Sequence, residues 1–214
     1  MVTGARRPLP VPRLYTIADR DALGDRSVPG AVAAMAEAGV RWIQVRAKGL
    51  AGGAAYELLA ACSRAVEGSG VTLWVDDRAD LASLLPVGGL HLGQSDLPHA
   101  AARRLVPLLP LGASAHDLTQ VALAATDPAV DVVAVGPVFA TRSKRDPDPI
   151  VGLALVAEAR RLTDKPLLAI GGLDANNLAG ALRAGADCAV VLSAACRGDV
   201  ATSCRALLAA AEAA

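Results

Sequence analysis

The sequence predicts an α/β protein with one domain, built as a (β/α)8 TIM barrel. Short β-branched runs alternate eight times with longer stretches rich in Ala and Leu. This alternation requires parallel strands joined by crossover helices, and eight repeats in 214 residues fit a small closed barrel. An open, doubly wound sheet is the alternative. It is less favoured because Ala18-Asp19-Arg20-Asp21 follows the first strand, where a dinucleotide-binding sheet has a glycine-rich turn.

The strands are predicted from apolar runs and the helices from the Ala- and Leu-rich segments between them, several of which end at glycine. The eight predicted strands are Leu14–Ala18, Trp42–Arg46, Thr72–Val75, Gly89–Leu92, Leu111–Ser114, Val132–Val135, Leu167–Ile170 and Ala189–Leu192. The eight predicted helices are Val28–Ala38, Ala54–Gly68, Arg78–Leu85, His99–Leu105, Asp117–Thr126, Val151–Leu162, Asn176–Ala184 and Asp199–Ala213.

The composition limits the partners. Lys and Arg number 21, as do Asp and Glu, so no net field recruits nucleic acid or an anionic membrane, and we expect small-molecule substrates. No apolar run has the length of a membrane span and no signal-peptide stretch is present, which predicts a cytoplasmic protein. The four cysteines lack metal-site spacing and are expected to be reduced core residues. We expect residues 1–12 to form a flexible tail and residues 13–214 the catalytic domain, whose apolar outer helices are compatible with a homodimer.

The second strand carries the most information about the site. Residues two apart on a strand share a face, so Gln44, Arg46 and Lys48 are predicted to lie together. If this face points into the barrel, burying two positive charges is costly unless an anion meets them. A phosphate or diphosphate is the expected anion, because it accepts several charge-assisted hydrogen bonds.

Carboxylates follow the third and fourth strands, in Asp76-Asp77-Arg78 and in His91-Leu92-Gly93-Gln94-Ser95-Asp96. In this barrel class the site lies at the carboxyl ends of the strands, so both loops border one rim. Paired carboxylates there indicate Mg²⁺, which takes one or two carboxylates together with phosphate oxygens and water. The alternative is that these aspartates cap the helices that follow.

Two further segments point to a phosphate site. The loop Gly136–Asp146 contains hydroxyls and cations that can surround an anion, although a loop of this composition can also be merely solvated. The seventh strand ends in Gly171-Gly172 and the eighth leads into Ser193. The loops after strands seven and eight are the recurrent phosphate site of such barrels, while a glycine pair by itself often marks only a turn.

The histidines do not form a nucleophilic arrangement with serine or cysteine, which argues against a hydrolase with a covalent intermediate. His116 follows the fifth strand at the rim of the barrel. It can therefore take part in proton transfer or simply belong to a loop.

Taken in series, these motifs resemble the thiamine phosphate synthase family over about residues 14–196. The motifs that carry the resemblance are Gln44–Lys48, Asp76–Arg78, His91–Asp96, Gly136–Phe139 with Thr141–Lys144, Ala169–Gly172 and Val191–Ser193. The resemblance implies a TIM-barrel transferase that joins 4-amino-2-methyl-5-hydroxymethylpyrimidine diphosphate to 4-methyl-5-(2-hydroxyethyl)thiazole phosphate, with Mg²⁺. The products are thiamine phosphate and diphosphate. It further implies that the C–O bond breaks first and that the thiazole nitrogen traps a pyrimidine methyl cation.

The resemblance also implies roles for individual residues. Arg46, Lys48 and Lys144 are the expected catalytic residues, and Asp77 and Asp96 the expected Mg²⁺ ligands. The residues expected to bind the pyrimidine diphosphate are Gln44, Arg46, Lys48, Asp76, Ser114 and Lys144. The residues expected to bind the thiazole phosphate are Thr141, Ser143, Gly171, Gly172 and Ser193.

The sequence departs from the family pattern at several positions. Asp76 stands where Asn is expected, which places an extra carboxylate beside a diphosphate. Ala47 stands where an acid is common, Ser143 where Thr is common, and Arg142 replaces a smaller residue or proline.

Two other functions remain open at this point. The first is the thiazole tautomerase of the same superfamily, which would use His116 for proton transfer. That reaction involves no metal-bound diphosphate and would not use Gln44, Lys48, Asp77, Gln94, Asp96 and Lys144. Their presence favours the synthase. The second is a barrel that senses thiazole or thiamine phosphate without turnover, and only Asp76 points to it.

Overall fold

The chain forms one closed barrel of parallel strands that follow one another in chain order, with the last strand pairing with the first. The computed structural model describes residues 9–141, 143 and 148–214. The strands are β1 (Leu14–Asp19), β2 (Trp42–Arg46), β3 (Thr72–Asp76), β4 (Gly89–Leu92), β5 (Leu111–Ala115), β6 (Val132–Val135), β7 (Leu167–Ile170) and β8 (Cys188–Val191). The predicted (β/α)8 TIM barrel is therefore confirmed and the open sheet excluded.

The helices surround the barrel between successive strands. In the described part of the chain they are α1 (Arg20–Leu23), α2 (Val28–Glu37), α3 (Gly52–Ala65), α4 (Ala79–Leu84), α5 (His99–Leu105), α6 (Leu118–Thr126), α7 (Gly152–Leu162), α8 (Leu178–Arg183) and α9 (Val200–Glu212). Eight match predicted helices to within three residues. The short helix α1 was not predicted.

Side-chain capping explains several of these boundaries. Asp117 and Asp199, predicted as the first residues of their helices, precede the helices and accept hydrogen bonds from the Gln120 and Thr202 amides. Asp19 does the same for the Ala22 amide at the end of β1. The carboxylates satisfy amides that have no partner within the helix, so the helices after Asp117 and Asp199 begin one residue later than predicted.

The residues of β2 alternate between the inside and the outside of the barrel. Trp42 packs in the interior cluster, whereas Ile43 and Val45 pack in the layer between strands and helices. Gln44 and Arg46 consequently share the interior face of Trp42. Lys48 lies beyond the strand, which ends at Arg46. The predicted inward face is correct for the first two polar residues, and Lys48 reaches the site from the following loop.

Large aromatic side chains fill the interior of the barrel near its middle. The Trp42 and Trp74 ring centroids lie 4.9 Å apart, and Tyr15 contacts both rings. Gly89 is the register partner of Trp74 on β4, and a Cβ atom at Gly89 would lie only 2.5 Å from the indole. The glycine therefore makes room for a tryptophan whose burial stabilises the fold by roughly 2–3 kcal/mol.

The residues before β1 also contact the barrel. Leu9 and Val11 pack against the interior cluster that contains Trp42. Residues 1–8 lie outside the described residues, and a flexible tail over 1–12 stays a prediction. In the described part of the chain no helix has the length and apolar character that a membrane crossing needs.

Candidate active site

Two adjoining cavities open where the strands end. We call the cavity of about 460 Å³ that reaches into the barrel the inner cavity. The cavity of about 440 Å³ over the ends of β2 to β5 is the rim cavity. Both are lined by the side chains of Arg46, Asp76, His91, Ser114, His116 and Asp148. The structure thus brings the residues after strands two to five together, as predicted.

Gln44 and Tyr15 line the deep part of the inner cavity. Gln44 is 3% exposed and donates from its amide nitrogen to the Tyr15 hydroxyl at 3.1 Å. Burial raises the pKa of Tyr15, so this phenol stays protonated. The amide oxygen of Gln44 accepts no hydrogen bond from the described residues, which leaves it available to an amino group of a ligand.

Arg46 lies between two carboxylates. Its Nη1 atom donates to Asp19 at 2.5 Å, and its Nε atom lies 3.6 Å from Asp76. Burial by itself lowers the pKa of Arg46, but the hydrogen bond with Asp19 and the charge of Asp76 raise it overall. Asp19 was not predicted as a site residue. Because it is the register partner of Arg46 on the neighbouring strand, it fixes the direction of the guanidinium.

Asp77 and Asp96 approach each other at the rim. Their side chains lie within hydrogen-bonding reach, and Lys48 forms an ion pair with Asp77. The Gly93 amide donates to the second oxygen of Asp96 at 2.7 Å. Burial, and after it the Asp77 side chain, raise the pKa of Asp96. The structure therefore holds two carboxylates close together at an electrostatic cost.

The alternative role as helix caps does not apply to these aspartates. The residue that caps α4 is Arg78, and Pro98 caps α5, in each case without a side-chain hydrogen bond. Asp77 adopts a φ of 61°, the left-handed region that a non-glycine residue rarely occupies. Such backbone strain concentrates at functional sites.

Asp76 is the buried carboxylate of the group. Burial, and after it the neighbouring Asp77, raise the pKa of Asp76 to about 7. Its closest cation is Arg46, which it shares with Asp19. The extra carboxylate at this position is thus accommodated by the guanidinium and by an increased tendency to hold a proton.

Ser114 is positioned by His91. The imidazole Nε2 lies 3.0 Å from the Ser114 hydroxyl, and burial lowers the pKa of His91 to about 4. The imidazole is therefore neutral at pH 7. Gly112, the register partner of His91 on β5, leaves space for the ring, because a Cβ there would lie 2.4 Å from Nδ1. Gln94 donates to the Ser114 carbonyl and completes this side of the rim.

The loops after β6, β7 and β8 meet at the opposite side of the inner cavity. The Ser143 and Ser193 hydroxyls lie 2.7 Å apart, and the Ser143 amide donates to the Thr141 hydroxyl at 3.2 Å. Thr141, Ser143 and Ser193 all line this cavity, and their predicted binding of the thiazole phosphate stays a prediction. Lys144 lies outside the described residues, as does Arg142, so their predicted contributions stay predictions.

Gly171 and Gly172 lie directly under the loop after β6. A Cβ atom at either position would come within 2.5 Å of Pro137 or of the Ala140 carbonyl, and both residues have positive φ. The amides of Gly171, Gly172, Ser193 and Ala194 donate to no acceptor among the described residues. These four residues line one cavity, and amides without a partner can bind the oxygens of a phosphate.

His116 is fixed by the backbone and by Asp148. Its Nδ1 lies 2.6 Å from the Gly136 carbonyl, which requires a proton on that nitrogen. Its Nε2 lies 3.5 Å from Asp148, and its own amide donates to Gln120. The ring lines both cavities, and its two nitrogens are held by the Gly136 carbonyl and by Asp148.

Known proteins resemble this chain in sequence and in architecture. The family model of thiamine monophosphate synthase matches residues 14–195. A thiamine-phosphate synthase of Koribacter versatilis is 40% identical over 193 residues, which span 86% of this chain and 89% of that relative. The chain belongs to the thiamine monophosphate synthase family. A thiamine-phosphate synthase of Anaeromyxobacter dehalogenans is 44% identical over 157 residues, 73% of this chain and 70% of that one.

A solved structure extends the likeness to the fold. The thiamine phosphate pyrophosphorylase from Pyrococcus furiosus matches with a TM-score of 0.84 at 28% identity, over 94% of this chain and 96% of that chain. The predicted membership of the thiamine phosphate synthase family is therefore confirmed, and with it the prediction that the chain is a transferase.

The residues of this family member fit a magnesium ion. Four carboxylates, Asp19, Asp76, Asp77 and Asp96, face two cations, Arg46 and Lys48, in the described part of the site. Asp77 and Asp96 supply oxygen ligands of the kind that Mg²⁺ prefers. Among the described residues no three such side chains are arranged so that they could hold a metal ion by themselves, so substrate oxygens and water would complete the coordination.

Several residues of the site were missed from the sequence. They are Tyr15, Asp19, His91, Asp148 and Arg197. Asp19 could have been found, because it directly follows the predicted first strand and so lies at the functional rim. Tyr15 belongs to the same strand, and its direction depends on the barrel register, which the sequence does not give.

Proposed function

We propose that this family member condenses 4-amino-2-methyl-5-hydroxymethylpyrimidine diphosphate with 4-methyl-5-(2-hydroxyethyl)thiazole phosphate by a dissociative mechanism. One observation carries the proposal. The rim cavity, with its carboxylate pair and Lys48, suits a metal-bound diphosphate, and the inner cavity has four unpaired amides that suit a monophosphate. The two cavities meet at Arg46 and Asp76, which would bring the two substrates together.

The pyrimidine diphosphate would lie across the junction of the cavities. Gln44 would accept a hydrogen bond from the amino group of the pyrimidine, and Ser114 would contact the substrate from the opposite wall. Arg46 and Lys48 would stabilise the charge that grows on the diphosphate, together with Lys144. Asp76 would keep Arg46 in place through the ion pair that the structure shows.

The thiazole phosphate would bind at the other end of the inner cavity. Its phosphate would accept hydrogen bonds from the Gly171 and Gly172 amides and from Thr141, Ser143 and Ser193. The Ser143–Ser193 contact joins two loops and fixes both hydroxyls on one side of the phosphate. Because the ring nitrogen must reach the pyrimidine methylene carbon, this anchoring also sets the distance for bond formation.

The chemistry requires no protein nucleophile. The C–O bond breaks and its electron pair leaves with the diphosphate, and the lone pair of the thiazole nitrogen then forms the C–N bond. Asp77 and Asp96 would hold Mg²⁺, which when bound neutralises charge on the leaving diphosphate. Exclusion of water from the cavity would protect the carbocation, because water otherwise competes with the thiazole.

A three-way assay distinguishes this function from the two alternatives. The purified protein is incubated with both substrates and Mg²⁺, and separately with the thiazole carboxylate tautomer alone. The proposal predicts release of diphosphate with an equal amount of thiamine phosphate. Conversion of the tautomer alone would indicate the isomerase, and neither reaction would indicate a sensor. The cytoplasmic location and the homodimer stay predictions.

A further inference from the structure

Arg197 is a cation at the inner cavity that neither the motifs nor the family model, which ends at residue 195, includes. It lies in the segment between β8 and α9, is exposed, and lines the inner cavity together with Ser193, Ala194 and Gly172. It therefore borders the end of the cavity where the four unpaired amides lie.

The guanidinium of Arg197 forms no hydrogen bond or ion pair with the described residues. Two other arginines among the described residues have carboxylate partners. Arg46 pairs with Asp19 and Asp76, and Arg103 with Asp131. A free guanidinium at a cavity that is built to receive an anion has its donors available for that anion.

The backbone that carries Arg197 is held on both sides. Arg26 donates to the Cys196 carbonyl and, at 2.9 Å, to the Gly198 carbonyl. The Cys196 thiol lies 3.3 Å from the Ile17 carbonyl of β1. The backbone on both sides of residue 197 is thus held, so binding through this side chain orders less backbone than binding through a loose loop would.

The neighbouring helix end does not provide the positive charge. Asp199 caps α9 and accepts a hydrogen bond from the Thr202 amide at 2.8 Å. The N-terminus of that helix is therefore occupied by a carboxylate of the chain itself. The four amides supply directed donors but no formal charge, and a phosphate dianion next to them still lacks a cation among the described residues of this end of the cavity other than Arg197.

We propose that Arg197 binds the phosphate group of the thiazole substrate and sets the preference of this site for the phosphorylated over the unphosphorylated thiazole. The inference rests on the proposed function, because it takes the thiazole phosphate as the ligand of the inner cavity. It adds a guanidinium to the contacts from Ser193 and the two glycines.

Calorimetric titration tests this contact without turnover. Thiazole phosphate and the corresponding thiazole alcohol are titrated separately into the wild-type protein, R197A, R197K and R205A, with no pyrimidine substrate present. R197A should bind thiazole phosphate about tenfold more weakly, the change expected for loss of one hydrated charge-assisted hydrogen bond, and should bind the alcohol as the wild type does. R197K should recover part of the lost affinity for thiazole phosphate, and the recovered part should be smaller at high salt.

R205A is the matched control, because Arg205 is exposed on α9 and donates to Thr202 away from the cavity. Equal binding of thiazole phosphate by R197A and the wild type would overturn the inference, as would equal losses for the phosphate and the alcohol. A wild-type protein that binds thiazole phosphate but forms no thiamine phosphate would overturn the proposed function while the Arg197 comparison still decides the contact. A wild-type protein that binds no thiazole phosphate would overturn both.

Discussion

The two ends of the barrel use carboxylates in opposite ways. At the amino ends of the strands, Asp131 accepts from the Leu111 amide at 2.9 Å and from Arg103 at 2.5 Å. Asp187 repeats this arrangement two strands further on, with the Leu167 amide and Arg160, both at 2.8 Å. Each carboxylate there has a strand amide and an arginine as partners from the chain itself.

At the carboxyl ends the carboxylates are crowded. Asp76, Asp77 and Asp96 share two cations with Asp19, and the pKa of Asp76 and that of Asp96 are raised, first by burial and then by Asp77. The comparison teaches that one end is electrostatically complete and supports the fold. The other end keeps an excess of carboxylates over cations, which protons or an added cation can offset, as in a metal site.

The largest expected effect is on turnover, at the crowded end. Replacing Asp77 or Asp96 by Ala should lower turnover on the order of 100- to 1,000-fold, because the diphosphate then loses the charge that stabilises its departure. Excess Mg²⁺ should restore part of the activity. Diphosphate release is measured over a range of Mg²⁺ concentrations. Full activity in both variants would show that neither residue holds the metal.

The amino-end carboxylates should affect stability instead. D131A should lower the free energy of unfolding by about 3 kcal/mol, because it leaves the Leu111 amide and Arg103 without their partner. D187A should cost about 1 kcal/mol, since the Asp187 side chain is 46% exposed and that of Asp131 only 20%. Denaturant unfolding gives both values. A loss of turnover in folded D131A would contradict the division between the two ends.

Arg46 tests how the site divides between the substrates. R46A should raise the KM for the pyrimidine diphosphate on the order of 30-fold, since the diphosphate loses a charge-assisted contact. The KM for the thiazole phosphate should change less than about twofold, because that substrate lies at the other end of the cavity. Steady-state kinetics with each substrate varied in turn provides both numbers. Equal increases would mean that the two substrates do not occupy separate subsites.

Asp76 gives the most specific effect, on the pH dependence of stability. The pKa of Asp76 is about 7 in the folded protein, above the usual value of 3.8 that applies to the unfolded chain. The folded state therefore holds the extra proton between these two values, and the wild type loses stability as the pH rises from about 4 to about 7. D76N cannot lose this proton.

The free energy of unfolding of D76N should accordingly exceed that of the wild type by a small amount at pH 4. This difference should grow up to pH 7 and remain constant above it. The free energy of unfolding is measured in the presence of a chelator across this range. If the two proteins show parallel pH profiles, Asp76 does not hold a proton in the fold. D131N serves as the control, because it changes a carboxylate at the other end of the barrel.

The sequence predicted the barrel, its eight strands and most of the site because these depend on local patterns. Apolar runs mark the strands, and strand ends mark the rim, so Gln44, Arg46, Asp77 and Ser193 could be assigned to one site. Their partners could not be assigned. Arg46 meets Asp19 through the register of β1 against β2, a contact between distant parts of the chain.

Other features of the site also depend on the three-dimensional arrangement. Lys48 was expected to continue the inward face of β2 and instead lies in the loop, where it pairs with Asp77. Asp77 adopts a strained left-handed conformation, which a pattern of apolar residues does not predict. The short helix α1 begins at a side-chain cap by Asp19, and that pattern does not predict it either. Arg197 belongs to none of the sequence motifs, and its place at the site is seen only from the cavity that it lines.

The central claim is that the crowded carboxylates at the carboxyl ends need a divalent cation in order to accept the diphosphate. Calorimetric titration of the pyrimidine diphosphate, with Mg²⁺ and with a chelator, tests it most directly in the wild type and in the double variant D77N/D96N. The account predicts that the wild type binds at least about tenfold more tightly with Mg²⁺, and that the double variant shows no such gain. Equal affinity of the wild type in Mg²⁺ and in chelator would contradict it.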